Sequence, residues 1–127
     1  MHDPQLYNIL TPFDYLRDMD SVADIGTTKL LTDVKAAVLA VDPNAETYLF
    51  GSRARGDAKA DSDWDIFIAT SQTDRKALEE ALLDPIYDLM LAHEALIQYI
   101  AFSKQRWLRG DAPSPLYDDI REQGIRL

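Results

Sequence analysis

There is no cysteine among the 127 residues. Disulfides, thiolate-bound zinc and cysteine nucleophiles are thereby excluded, and the composition suits a reducing compartment, with the cytoplasm as the expected location. Long apolar runs are missing as well. Even the apolar stretch from Ala95 to Phe102 is short and holds Gln98, so no segment is expected to span a membrane. The opening residues are acidic and interrupted by Pro4 and Pro12, unlike a signal peptide. Positive charge is scarce: 13 Lys and Arg stand against 22 Asp and Glu, a net charge of -9. A chain so acidic repels a phosphate backbone, and general nucleic-acid binding is not expected. Neither an internal repeat nor a low-complexity tract is present. What is there is a hydrophobic fraction of 46%, enough for one core, so residues 1–127 read as a single domain.

The order of elements is mixed α and β. Leu6 to Met19 has loose helical spacing limited by Pro12, an entry helix within an N-terminal helical extension (1–26). Thr27 or Thr28 is placed to cap a helix whose Leu30, Val34, Ala37, Val38 and Val41 recur at three and four residues before Pro43. Glu46 to Phe50 and Trp64 to Thr70 read as strands, rich in aromatic and β-branched residues. Leu78, Leu82, Ile86 and Leu89 mark a helix from Thr73 to about Ala92, kinked or split by Pro85. Ala95 to Phe102 is a third strand. A helical tail (103–127) follows, with Ser103 capping one short helix and Ser114, Pro115 and Gly124 bounding another.

Chemistry concentrates between Leu49 and Ile68. Asp63 and Asp65 flank Trp64 and so project from the same face of a strand, roughly 6 to 7 Å apart along the backbone. Two like charges so close are tolerated beside a cation, and hard carboxylate oxygens on a rigid strand suit Mg2+ or Mn2+. A bare Asp-x-Asp is otherwise an ordinary pair of exposed turn residues. Gly51 and Ser52 add to the pattern: a glycine after a strand lets backbone amides approach an anion, and a serine hydroxyl donates to a phosphate oxygen. Arg53 and Arg55 are placed to clamp phosphate oxygens, or else are solvated loop charges. Gly56 supplies a turn, and Ser62 organises the backbone before Asp63.

Other readings fail on their letters. Gly51 to Gly56 has the spacing of a phosphate-binding P-loop, but Asp57 and Ala58 stand where Lys and Ser or Thr must follow. A dehalogenase-type nucleophile needs its strand before the aspartates, whereas here the strand follows them. Arg55-Gly56-Asp57 spells an integrin-type tripeptide in a chain with no sign of secretion.

Gly51-Ser52, ten residues, then Asp63-x-Asp65 and the strand Ile66-Phe67-Ile68 together resemble the nucleotidyltransferase superfamily of DNA polymerase β, in particular its minimal single-domain members. The likeness runs from about Lys29 to Phe102. It implies an α+β fold with a small mixed sheet of about three to five strands flanked by helices. It also implies transfer of a nucleoside monophosphate, AMP from ATP being the expected case, to a hydroxyl of a protein or small molecule. By this resemblance Gly51 and Ser52 hold the triphosphate, with Arg53, Arg55 and Ser62 beside it, and Asp63 and Asp65 bind Mg2+ or Mn2+. A small helical HEPN-type protein is the implied partner, with an antitoxin-like role. The superfamily usually carries a third carboxylate on the third strand. Ala95 to Phe102 contains none, so Glu94 is the expected substitute, Asp88 the next, and Gln98 a neutral replacement that would bind triphosphate yet transfer poorly. His93 is read as a capping or packing residue. The same fold without turnover, a nucleotide-binding module, is the competing reading.

Overall fold

The computed structural model describes residues 22–111 and 114–127, so the entry helix read at Leu6 to Met19 lies outside the described residues. Helix α1 (Val22–Val41) leads into β1 (Glu46–Phe50), a single-turn helix α2 (Ser52–Arg55), β2 (Trp64–Thr70), helix α3 (Arg75–His93), β3 (Ile97–Ser103), the short helices α4 (Lys104–Arg109) and α5 (Pro115–Gln123), and a two-residue strand β4 (Ile125–Arg126). The strands form one mixed sheet in the order β3-β2-β1-β4. β1 runs antiparallel to both β2 and β4, while β2 and β3 are parallel, as a strand–helix–strand crossover through α3 requires. The α+β architecture with a four-stranded mixed sheet is the one expected.

β2 occupies the centre, and its alternation builds both faces. Trp64, Ile66 and Ile68 pack under α1 and α3 against Leu30, Val34, Val38, Leu78, Leu82 and Ile86. Phe67 and Ala69 face the other way, into Phe102, Trp107 and Ile120 beneath α4 and α5. Strand β2 is therefore apolar on both sides, which is why its sequence reads as a continuous hydrophobic run after Asp65. The second face is largely aromatic: Phe67 lies 4.6 Å from Trp107 and 5.8 Å from Tyr117, centroid to centroid. Arg121 covers Trp107, its guanidinium 3.8 Å above the indole, and donates to the Trp107 carbonyl.

Several boundaries differ from the sequence reading. Helix α1 starts at Val22 and passes through Thr27 and Thr28, so neither caps it, and part of the expected extension belongs to this helix. Helix α3 is capped by Asp74, whose carboxylate accepts from the Ala77 amide at 3.0 Å, and it continues through Pro85 rather than splitting there. Its packing on the sheet through Leu78, Leu82 and Ile86 outweighs the one backbone bond that a proline forfeits. The tail is not wholly helical: β4 adds a strand beside β1, with the Leu127 amide donating to Thr47. Ser103, Ser114 and Pro115 bound the short helices as their sequence indicates.

Candidate functional site

The register of β1 on β2 pairs Phe50 with Asp65. Gly51, the next residue, therefore turns directly over the Asp65 carboxylate. Its backbone sits at φ 76° and ψ -159°, a region essentially closed to side chains, and a Cβ there would collide with the Asp65 carboxyl oxygen. Glycine is demanded twice at this position, by the dihedral and by the close approach. Ser52 then opens α2, and Gly56, at φ 86°, closes it by donating to the Ser52 carbonyl. The serine-bearing turn and the first residues of β2 thus share one end of the sheet.

Asp65 has the parity of Phe67, so its side chain is on the α4 and α5 face of the sheet, half-buried, and Asp63 has the same parity just before the strand. Burial pushes the Asp65 carboxyl above its ordinary range, the charge of Asp63 pushes it further, and the Arg55 guanidinium partly offsets both. Desolvation and like-charge repulsion act together here, and a cation shared by the two carboxylates would relieve both. The donor set fits a hard divalent metal: two carboxylates on one face, next to a turn that accepts no side chain. Among the described residues no group of three or more His, Asp or Glu is gathered as a metal site.

The other candidate residues are distributed less simply. Arg53 is spent on the loop: its Nη2 donates to the carbonyls of Ala60 (3.2 Å) and Ser62 (2.9 Å), and its guanidinium stacks 4.2 Å over the Trp64 ring. Its Nε is buried with no hydrogen-bond partner among the described residues. Ser62 holds the same loop, its Oγ accepting from the Lys59 amide at 2.8 Å. Together they draw residues 56–63 against the start of β2 and set where Asp63 begins. Both are engaged within this loop, whereas Arg55 stays exposed, paired with Asp57 at 3.4 Å and close enough to act on Asp65.

Glu94 is not gathered with the aspartates. It ends α3 in a left-handed conformation (φ 50°) and borders a cavity of about 450 Å3 lined also by Leu30, Trp64 and His93, which belongs to the α1 and α3 face of the sheet. Asp88 is exposed on α3. The residue beside Asp65 is Gln98: parallel pairing of β2 and β3 sets these two in register, and Gln98 shares the parity of Ile100 and Phe102 on the α4 and α5 face, exposed. His93 ties the helices together, its Nε2 2.9 Å from the Asp33 carboxylate, which also accepts from Lys29 at 2.7 Å. The hydrogen bond from Lys29, then that from His93, hold Asp33 below its ordinary range.

One polar centre has no motif to announce it. Asp42, just after α1, is buried and accepts from Thr70 Oγ1 (2.6 Å), the Ser71 amide and hydroxyl (2.8 Å each) and the Asn44 amide (3.0 Å). It joins the end of α1 to the end of β2. In sequence, Asp42-Pro43 signals only a helix stop.

A mixed sheet with a glycine-serine turn set against an aspartate pair at the start of its central strand defines a nucleotidyltransferase domain. The chain belongs to the family described as polymerase beta, nucleotidyltransferase, whose model matches residues 37–125, more than two thirds of the sequence and both motifs. No curated protein is similar enough to count as a relative. Among the described residues no helix is long and apolar enough to cross a membrane.

Proposed function

We propose that this domain transfers a nucleoside monophosphate, with ATP as the donor, to a hydroxyl of a protein or small molecule, using Mg2+ or Mn2+ held by Asp63 and Asp65. The observation that carries this reading is the approach of Gly51 to the Asp65 carboxylate, which sets the glycine-serine turn directly beside a pair of repelling acids. In this reading the Ser52 hydroxyl and the amides of the turn donate to the terminal phosphates, and Arg55 supplies a positive charge on the same side. Asp63 and Asp65 would hold the divalent ion and so keep the reacting groups in line. The divalent ion, when bound, supplies neutralisation of phosphate charge and lowers the pKa of the acceptor hydroxyl. A net charge of -9 favours a protein or small-molecule acceptor over a polynucleotide, and a hydroxyl on a small helical HEPN-type partner is the acceptor implied by the sequence's resemblance to minimal single-domain members of the superfamily.

A second reading rests on Gln98. The position in register with Asp65 carries a neutral amide, which orients by hydrogen bonding but takes no proton. A module that binds nucleotide and turns over slowly follows from that residue. Calorimetric titration with ATP and Mg2+, of wild type and of Asp63→Ala, together with labelled-ATP transfer to candidate acceptors, separates the two. Metal-dependent binding lost in the variant, with label transferred, supports the transferase. The same binding without transfer supports the module, and absence of metal-dependent binding overturns both.

A further inference from the structure

Helix α3 has two apolar faces. Leu78, Leu82 and Ile86 enter the core, and on the opposite side Leu83, Tyr87 and Leu91 recur every four residues with 59%, 56% and 61% of their surfaces exposed. At 100° per residue these three fall within an arc of about 80° that points away from the sheet. A helix that is apolar on both sides is ordinarily a buried one, yet this outer stripe meets solvent. Glu80, Asp84 and Asp88, all exposed, repeat at the same interval along one flank. Beside Leu83 lies an open depression of about 430 Å3 lined by Lys76, Glu79, Glu80 and Tyr99, with room for an apolar side chain from outside.

We infer that the outer face of α3 is a docking surface for an amphipathic helix of another protein, one whose apolar residues are flanked by Lys or Arg. The charge pattern chooses this occupant. A second copy of this chain would set one acidic row against another on molecules of net charge -9, whereas a basic flank pairs with Glu80, Asp84 and Asp88 and is steered by the same field. Tyr87, central in the stripe between Leu83 and Leu91, is the anchor, since binding hot spots are enriched in tyrosine near the middle of an interface. The surface belongs to the α1 and α3 side of the sheet, away from the face that holds Asp65. A partner seated there leaves the aspartate pair open, and the inference holds whether or not the domain is catalytic.

The test uses the full chain and a synthetic helical peptide of about 18 residues with a Leu stripe flanked by Lys and Arg, followed by fluorescence anisotropy and by amide shifts in NMR spectra. Binding is expected to shift the amides of residues 80–91. Leu83→Ser with Leu91→Ser, or Tyr87→Ala alone, should weaken it at least about tenfold, with an unchanged circular dichroism spectrum. Asp84→Asn with Asp88→Asn should weaken it less and flatten its salt dependence. A peptide of the same apolar pattern flanked by Glu should not bind. Shifts confined to other elements, or affinity untouched by the Leu83 and Leu91 changes, would overturn the inference. So would a concentration-dependent dimer abolished by Tyr87→Ala, or adsorption to phosphatidylcholine vesicles through the same residues, because each assigns the stripe to a different occupant.

Discussion

Two carboxylates bracket the central strand β2: Asp42 lies against its last residue and Asp65 next to its first. Asp42 is the more deeply buried, and burial alone works to raise its pKa. The hydrogen bonds from Thr70, Ser71 and Asn44 outweigh that, and the group is held below its ordinary range. Asp65 is less buried yet is raised, because no donors offset its burial and the charge of Asp63 adds to it, with only the Arg55 guanidinium acting against both. One end of the sheet has resolved its charge with donors of its own, whereas the other keeps a repulsion that a bound cation would relieve. Proteins hold such unrelieved positions at functional sites and compensate for them elsewhere in the fold, and the contrast agrees with the site that the motif marks.

The contrast is broken most severely from the unrelieved end. Asp65→Ala is expected to lower nucleotidyl transfer about a thousandfold, roughly 4 kcal/mol of transition-state stabilisation, while leaving the thermal midpoint unchanged or raised. Steady-state transfer rates and a thermal melt of the same sample check both halves. Asp42→Ala reverses the pattern. It leaves buried hydroxyl and amide donors unpaired and should cost about 3 kcal/mol in urea unfolding, with Mg2+-dependent ATP affinity retained in the molecules that stay folded.

Gly51→Ala probes the contact between turn and carboxylate. The added methyl meets the Asp65 carboxyl at a dihedral that alanine resists, so a loss of about 2 kcal/mol in stability is expected, along with weaker ATP binding by calorimetry. Gln98→Glu sharpens the comparison instead. A third carboxylate in register with Asp65 adds repulsion in the free protein, and with metal present it supplies a further ligand and a proton acceptor. Transfer should rise about tenfold if the neutral amide limits the rate, and single-turnover kinetics distinguish this from a change in affinity.

Much of this was legible before any coordinates. Trp64 to Thr70 is a strand over the span its composition marks, because apolar contacts on both faces demand β-branched and aromatic residues throughout. Ser103 and Ser114 cap helices because capping is a local bond between a hydroxyl and an amide two or three residues away. The meeting of Gly51 with Asp65 was foreseeable from two strands ending near each other. What escaped depends on pairing between distant segments. Gln98 rather than Glu94 stands beside Asp65 because the parallel register of β2 and β3 decides it, and a shift of one residue would have turned Gln98 to the other face. Arg53 reads in isolation as a phosphate clamp or a solvated loop charge, and its bonds to two carbonyls and its stacking on an indole come from the fold of residues 56–63, which the sequence does not display. Asp42 is silent in sequence because its partners Thr70 and Ser71 are 28 and 29 residues away.

The smallest expected effect is also the most direct test of the comparison, because the two carboxylates respond to pH with opposite signs. Asp42 has a folded pKa below the unfolded aspartate value of about 3.9, so its stabilisation is complete above that value and disappears as pH falls through the lower, folded one. Asp65 has a folded pKa above that value, so its contribution is greatest below about pH 3.9 and is lost as pH rises through the raised one. Urea midpoints between about pH 3 and 7 should therefore show Asp65→Asn gaining on wild type as pH rises, and Asp42→Asn approaching wild type as pH falls. Saturating Mg2+ at neutral pH should close the Asp65→Asn gap by stabilising wild type alone, since a cation between the aspartates removes the repulsion that the substitution removes. A gap that survives Mg2+ would show that the acids at this end of β2 are relieved by something other than a shared cation.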